Sequence, residues 1–238
     1  MRIKQQSITL GDICIDVVQK SIKNVRLSVY PPVGRVRIAA PLHMDLEIIR
    51  AFAISKLHWI KQQQNRFRGQ ERETAKEYVT RECHYFLGKS YLLKVIEHNA
   101  APKVMIEHET MEMYIRPNTS LAKRQEILEE WYRQRLKEII PQIISKYETT
   151  MKVRVNDFGV KKMRTKWGTC NIDAKRIWLN LELAKKLRHY LEYVVLHEMT
   201  HLLERRHDDR FIACMEKFMP QWRLYKEELN RSALSRIS

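Results

Sequence analysis

The feature that most restricts this chain lies near its C-terminal end, where Tyr193-Val194-Val195-Leu196 leads directly into His197-Glu198-Met199-Thr200-His201. Residues four apart on an α-helix are rotated by about 400° and stand on one face, a turn apart. On a helix, His197 and His201 can therefore bind one zinc ion from adjacent turns. Glu198, rotated by about 100° from His197, stands beside the ion without being a ligand. A carboxylate so placed can take a proton from a metal-bound water and hand it to a leaving amine. The fold must then supply a helix that buries its apolar side and opens the face carrying both histidines. The same five residues would also suit a solvated basic helix with no metal, and a third ligand separates the two readings.

Helical geometry narrows the choice of that ligand. Glu204 shares the face but lies about 10.5 Å along the axis from His197, too far for zinc bonds of about 2 Å to join all three. His207, six residues after His201, points about 240° away in an unbroken helix. If the helix ends between Leu203 and Arg206 and the chain turns back, His207 reaches the metal. The site then has three neutral imidazoles and an open position for water. Asp208, Asp209, Glu216 and Glu227 are weaker candidates, and Asp208 or Asp209 can instead orient a ligating imidazole. Cys170 is a further possible ligand, with a small buried thiol as the plainer reading. Arg164, Lys166 and Tyr193 are candidates for stabilising an oxyanion, each weighed against a surface or packing role.

Composition excludes several other classes. Cys14, Cys83, Cys170 and Cys214 form no Cys-x-x-Cys, which argues against zinc knuckles and a disulfide framework. No apolar run approaches the length of a membrane span and the N-terminus lacks a signal-peptide pattern, so a cytoplasmic protein with no membrane partner is expected. The 44 Lys and Arg against 28 Asp and Glu give a formal charge of +16, which admits an acidic partner such as nucleic acid. Those charges spread along both halves, and no aromatic-flanked basic motif or helix-turn-helix accompanies them.

The N-terminal third reads as short strands at Ile13 to Val18, Val25 to Tyr30 and Val36 to Ala39, then a helix from Asp45 to about Arg68 whose stripe includes Trp59. Strands at Tyr91 to Glu97, Lys103 to His108 and Met111 to Arg116 follow. Pro117 ends the pattern, with Thr119 or Ser120 as the N-cap of a long amphipathic segment over Leu121 to Met151. Trp131 belongs to its buried stripe, and Pro141 must kink it or start a new helix. Trp167 to Cys170 reads as a turn, Arg176 to Asn180 as a strand, and Glu182 to Glu204 as a helix broken near Arg188. A last helix runs from about Asp208 to Asn230. No internal repeat is visible. The expected division is a β-rich region over residues 1–117 and a second region over residues 118–238.

The spacing of the three histidines resembles that of the metzincin proteases, which carry Gly in place of Glu204. It also resembles the YbeY-type endoribonucleases, which carry Gly in place of the catalytic Glu, so Glu198 favours peptide hydrolysis. Over most of the chain the resemblance is to the YgjP-like zinc metallopeptidases, relatives of the SprT-like group. It rests on Arg164 to Cys170, Ile177 to Asn180, Tyr193 to Leu202, His207, Phe211 and Met219-Pro220. Looser matches are Val25 to Val29, Arg35 to Ile38, Ala40-Pro41 and His58 to Ile60. Around the third ligand the family has Asn-His-Ser where this chain has Arg206-His207-Asp208.

The resemblance implies an α+β fold with a zincin-like core: a small sheet, an active-site helix and a covering C-terminal helix. It places the strand Ile177 to Asn180 at the sheet edge beside the cleft, where it would bind an extended peptide. The expected function is zinc-dependent hydrolysis of a protein or peptide substrate, with His197, His201 and His207 holding Zn2+ and Glu198 as general base. The alternative is a basic nucleic-acid-binding protein whose zinc site is structural or ribonucleolytic.

Overall fold

The computed structural model describes residues 4–30, 34–68 and 76–231, and it divides into two compact units, Met1–Arg72 and Glu73–Ile237. The fold is mixed α+β, as expected from the sequence.

The first unit is a four-stranded sheet of β1 (Lys4–Leu10), β2 (Ile13–Lys20), β3 (Arg26–Tyr30) and β4 (Arg35–Pro41), ordered β1-β2-β4-β3. The outer pairs are antiparallel and the central β2–β4 pair is parallel. Strand alternation sends Ile13, Ile15, Val17, Val36, Ile38 and Ala40 to one face, where they form a core with Ile49, Ala53 and Ile60. Those three residues come from α1 (Leu46–Ser55) and α2 (Leu57–Arg68), two helices separated at Lys56 where one was expected. Asp45 caps α1, its side chain accepting from the Glu47 amide. Trp59, expected in the core, is 41% exposed, while its neighbour Ile60 is fully buried: Ile60, about 100° further round the helix, takes the core-facing position.

The second unit opens with β5 (Cys83–Phe86), β6 (Lys89–Glu97), β7 (Lys103–Glu107) and β8 (Thr110–Ile115), ordered β5-β6-β8-β7. Pair for pair it repeats the topology of the first sheet, again with a parallel central pair. The repeat escapes the sequence because few residues coincide. Pro117, the expected boundary, lies inside this unit: Leu93, Met111, Met113 and Ile115 share one core with α3 (Leu121–Met151). Ser120 caps α3, and Pro141 lies within a single continuous helix. Leu128, Tyr132, Leu136 and Ile140 line its buried side at spacings of four.

A third sheet contains β9 (Asp157–Lys161), β10 (Gly168–Asn171) and β11 (Arg176–Asn180). Its order is β10-β11-β9, with β11 parallel to β9 and antiparallel to β10. Two expectations are corrected here. The stretch Trp167 to Cys170, read as a turn, supplies the start of strand β10. The strand from Ile177 to Asn180 is central rather than at the edge, since its other side pairs with β9; among the described residues β10 is the edge strand facing the cleft. A 3-10 turn (Leu181–Lys185) leads to α4 (Arg188–Thr200), which packs on β10, β11 and α3. The last helical stretch is two helices, α5 (Asp209–Phe218) and α6 (Trp222–Arg231), parted around Pro220. A small sheet, the helix that carries the histidines and the C-terminal helices packed on it are the arrangement that the resemblance implied.

Candidate metal centre

Helix α4 carries the His-Glu-x-x-His motif at its C-terminal end, with His201 as the C-cap residue. Leu191, Val194, Val195, Leu196 and Met199 are buried and anchor it in the core. The helix stops three residues earlier than the earliest end expected from the sequence. The amides of Leu202, Leu203 and Glu204 bond back to the carbonyls of Met199 and Thr200 at 2.9–3.0 Å, so the chain turns at once. The Thr200 hydroxyl fixes this end by donating to Leu196 O at 2.8 Å. The turn brings Glu204 O to 3.2 Å from His201 Nδ1, and the segment beyond it returns His207 to the helix. Asp208 then caps α5, accepting from the Phe211 amide at 3.2 Å. That role, and not ligation, is what the structure shows for Asp208.

The three imidazoles converge. One ligand atom from each of His197, His201 and His207 lies within 4.8 Å of the other two, and the Nε2 atoms of His197 and His207 stand 3.1 Å apart. Tetrahedral zinc with bonds of about 2.0–2.1 Å separates its nitrogen ligands by roughly 3.4 Å, so the cluster fits the ion with little movement. Phe211, 1% exposed, forms the floor, its ring 4.6–5.0 Å from each imidazole ring. Burial and the neighbouring imidazoles lower His197 to about 3. Burial also lowers His201, with the Glu204 carbonyl opposing it. Both are thereby neutral imidazoles, the form that ligates. Donation from His201 Nδ1 to Glu204 O leaves Nε2 free to face the ion. The C-terminal end of the α4 dipole adds a field that favours a cation.

Glu198 is 5% exposed and lies beside the cluster. Burial pushes its carboxyl up to about 8, with Lys166 pulling the other way; a bound dication would add to the pull of Lys166. Strand β10 passes so close that a Cβ on Gly168 would lie 2.7 Å from Glu198 Oε1 and 2.8 Å from its Cγ. Only glycine allows this approach.

The path of β10 is set by Asn180, which is fully buried. Its Nδ2 donates to Met163 O (2.9 Å) and Lys166 O (2.7 Å), while Oδ1 accepts from the amides of Met163 (3.3 Å) and Glu182 (3.2 Å). All four hydrogen-bonding positions of the amide are filled, and they hold the segment that enters β10 beside Glu198. Reading the sequence assigns no role to Gly168, Asn180 or Phe211, although all three stand in stretches that carry the family resemblance. An asparagine closing an apolar strand was the available signal for a buried network.

An open cleft of about 720 Å³ runs between β10 and the histidines. Of the candidate oxyanion residues, Lys166 lines it and Arg164 does not. Tyr193 is buried with its ring 5.9 Å from that of His197, and it is not part of the lining. Cys170 lines the cleft, but the three-histidine cluster does not include it; burial, with Glu198 adding to it, raises its thiol to about 11. Arg205 lines the same cleft.

The family model described as YgjP-like, metallopeptidase domain, matches residues 23–232. No curated protein matches the chain. Among solved structures, the metallopeptidase zymogen jannalysin of Methanocaldococcus jannaschii is 16% identical, covering 39% of this chain and 94% of its own, with a TM-score of 0.35. The zymogen abylysin of Pyrococcus abyssi is 12% identical, covering 42% of this chain and 99% of its own, with a TM-score of 0.38.

Proposed function

Since the chain belongs to the YgjP-like metallopeptidase family, we propose that it hydrolyses peptide bonds with one zinc ion held by His197, His201 and His207. The observation that supports this most is the convergence of the three imidazoles on one point beside a buried Glu198. Zinc, when bound there, supplies a Lewis acid that polarises the scissile carbonyl and acidifies an attacking water. Glu198 takes the proton from that water and passes it to the departing amine; its burial and raised proton affinity suit both directions of transfer. Gly168 and Asn180 keep the edge of β10 against this carboxylate. That edge can receive an extended peptide as an added strand, through backbone hydrogen bonds. Lys166 and Arg205 line the cleft with positive charge, and Lys166 is the candidate to stabilise the developing oxyanion.

The test is zinc content and proteolysis of an unfolded protein such as casein, measured together for wild type, Glu198→Gln and His207→Ala. Wild type should hold about one zinc per chain. Glu198→Gln should keep the metal and lose about 10²- to 10⁴-fold in rate, whereas His207→Ala should lose both. Full activity in Glu198→Gln, or zinc content unmoved by His207→Ala, overturns the assignment.

A further inference from the structure

The two units share the positive charge unequally for their size: residues 1–72 hold 13 Lys and Arg against 5 Asp and Glu, and residues 73–238 hold 31 against 23. Each therefore has an excess of eight, so the density on the smaller unit is more than double. Strand alternation concentrates much of it. With the apolar side chains of β2, β3 and β4 turned toward α1 and α2, Lys20, Arg26, Arg35 and Arg37 stand on the opposite face of the sheet, all exposed.

The pairing of β3 with β4 sets their spacing. Arg35 is opposite Tyr30, Arg37 opposite Ser28, and Arg26 opposite Ala39. Arg35 and Arg37 are thus about 6.8 Å apart along one strand, and Arg26 lies diagonal to Arg37 at about 7–8 Å. Asp16 is the one acidic side chain on this face among the described residues, and Arg35 Nε already donates to it at 2.5 Å. Lys20, Arg26 and Arg37 have no carboxylate partner among the described residues. Gln5, Ser7, Thr9 and Ser28 supply hydrogen-bonding groups around them, and the Tyr30 ring is 40% exposed beside Arg35.

We infer that this outer sheet face binds a single strand of nucleic acid, with the guanidinium groups of Arg26, Arg35 and Arg37 on successive phosphates and Tyr30 under a base. Guanidinium forks match phosphate oxygens in pairs, and an exposed aromatic ring on a sheet face is a platform for unstacked bases. Among the described residues of this unit both helices pack on the other face of the sheet, so neither is placed to enter a duplex groove, which favours a single strand. Lys20, Arg35 and Arg37 lie on the two central strands and Arg26 on the edge strand β3; all four stand on the face of the sheet and not in the plane of its edge, where the backbone of an added peptide strand would pair.

The second sheet supplies the internal control. Its corresponding face pairs Lys94 Nζ with Glu112 Oε1 at 2.7 Å, and the Tyr114 hydroxyl donates to the same carboxylate at 2.7 Å. Lys103 lies over the Tyr114 ring, and Glu107 balances it in charge. That face has no free cluster of cations to offer. The inference stands apart from the peptidase reading, because it uses neither the metal nor the cleft.

Fluorescence anisotropy of the full chain with a labelled uridine-rich RNA of about 12 nucleotides, across a salt series, tests it. Binding should weaken with salt at a log–log slope of about −2, the value for three phosphates on a single strand. Arg26→Gln with Arg37→Gln should weaken binding at least tenfold and flatten the slope by about 1.4. Tyr30→Ala should weaken binding and leave the slope unchanged, and Lys94→Gln with Lys103→Gln should change neither. Circular dichroism establishes that each variant is folded, and Arg26→Lys with Arg37→Lys, which keeps the charge, should retain most of the slope. Absence of binding, equal loss from the Lys94 and Lys103 pair, or displacement of the RNA by an equal concentration of a glutamate-rich peptide overturns the inference.

Discussion

The hairpin from Leu10 to Ile13 in the first sheet and the one from Phe86 to Lys89 in the second each turn through two residues, with glycine at positive φ. A Cβ added to Gly11 would meet nothing within 4 Å, whereas one on Gly88 would lie 2.3 Å from Leu187 Cδ2. Leu187 immediately precedes α4, and the neighbouring Leu87 amide donates to Ala184 O at 2.8 Å. Two-residue turns in sheets of the same strand order, Gly11-Asp12 with only its glycine at positive φ and Leu87-Gly88 with both residues there, thus end in open space in one unit and against the start of the helix that carries the histidines in the other. The inner faces differ likewise. Among the described residues the core of the first sheet takes its helical members from α1 and α2, while the second shares its core with α3, α4 and α5. Topology fixes how such a sheet is built; the helices it meets decide whether it supports the site.

The largest expected consequence concerns the cores. Ile38 and Met111 occupy matching places, each fully buried and each on the fourth strand, paired with Val17 and Leu93. Truncating either to alanine should cost about 2–5 kcal/mol. Hydrogen exchange should show Ile38→Ala opening residues of the first unit with zinc retained, and Met111→Ala loosening the second unit with weaker zinc retention. Equal effects on zinc would break the comparison.

A smaller difference is expected at the turns. Gly11→Ala and Gly88→Ala both place a side chain at positive φ, which costs about 1 kcal/mol. Only the second also drives into Leu187, so overpacking should add about 1–3 kcal/mol and reduce proteolytic rate, as read from thermal unfolding and casein cleavage. Identical shifts would mean that the contact with α4 has no energetic weight.

The smallest is a pH effect. His84 is 4% exposed on the inner side of β5, with Nε2 3.1 Å from Glu82 Oε1. Burial lowers its imidazole to about 4, Glu82 opposing. The folded chain thus resists a proton that the unfolded chain accepts near pH 6.5, so this stabilisation is complete above about pH 6.5 and is lost as pH falls toward 4. The second unit should lose on the order of 1–3 kcal/mol over that window, and His84→Leu should flatten the profile. The first unit, whose only buried polar side chain among the described residues is Gln19, should show no matching step. A denaturation profile of the second unit unaffected by His84→Leu would remove His84 as the cause.

Legibility in the sequence followed the range of the interactions. The motif on α4 was readable because 3.6 residues per turn put His197 and His201 on one face whatever surrounds them. His207 was readable only conditionally, since its approach depends on where the helix stops, and hydrogen bonds from the turn after Thr200 decide that. The break at Lys56, the exposed Trp59 and the split of α5 from α6 lie at element ends, where local pattern yields to packing. The edge position of β10 was misassigned to the strand from Ile177 to Asn180, because strand order is a contact between segments distant in sequence and has no local signature.

What the sequence determined by itself is the chemistry available: two imidazoles and their helical spacing, the carboxylate between them, the mixture of strands and helices, and the excess of positive charge. Tertiary structure alone decided how that chemistry is arranged. It set Phe211 beneath three imidazoles, brought Gly168 against Glu198 by filling every hydrogen-bonding position of Asn180, and turned four cations onto one face of the first sheet. Each depends on contacts across strands and helices, whose energies arise only when the chain has folded and water has been removed from between the parts.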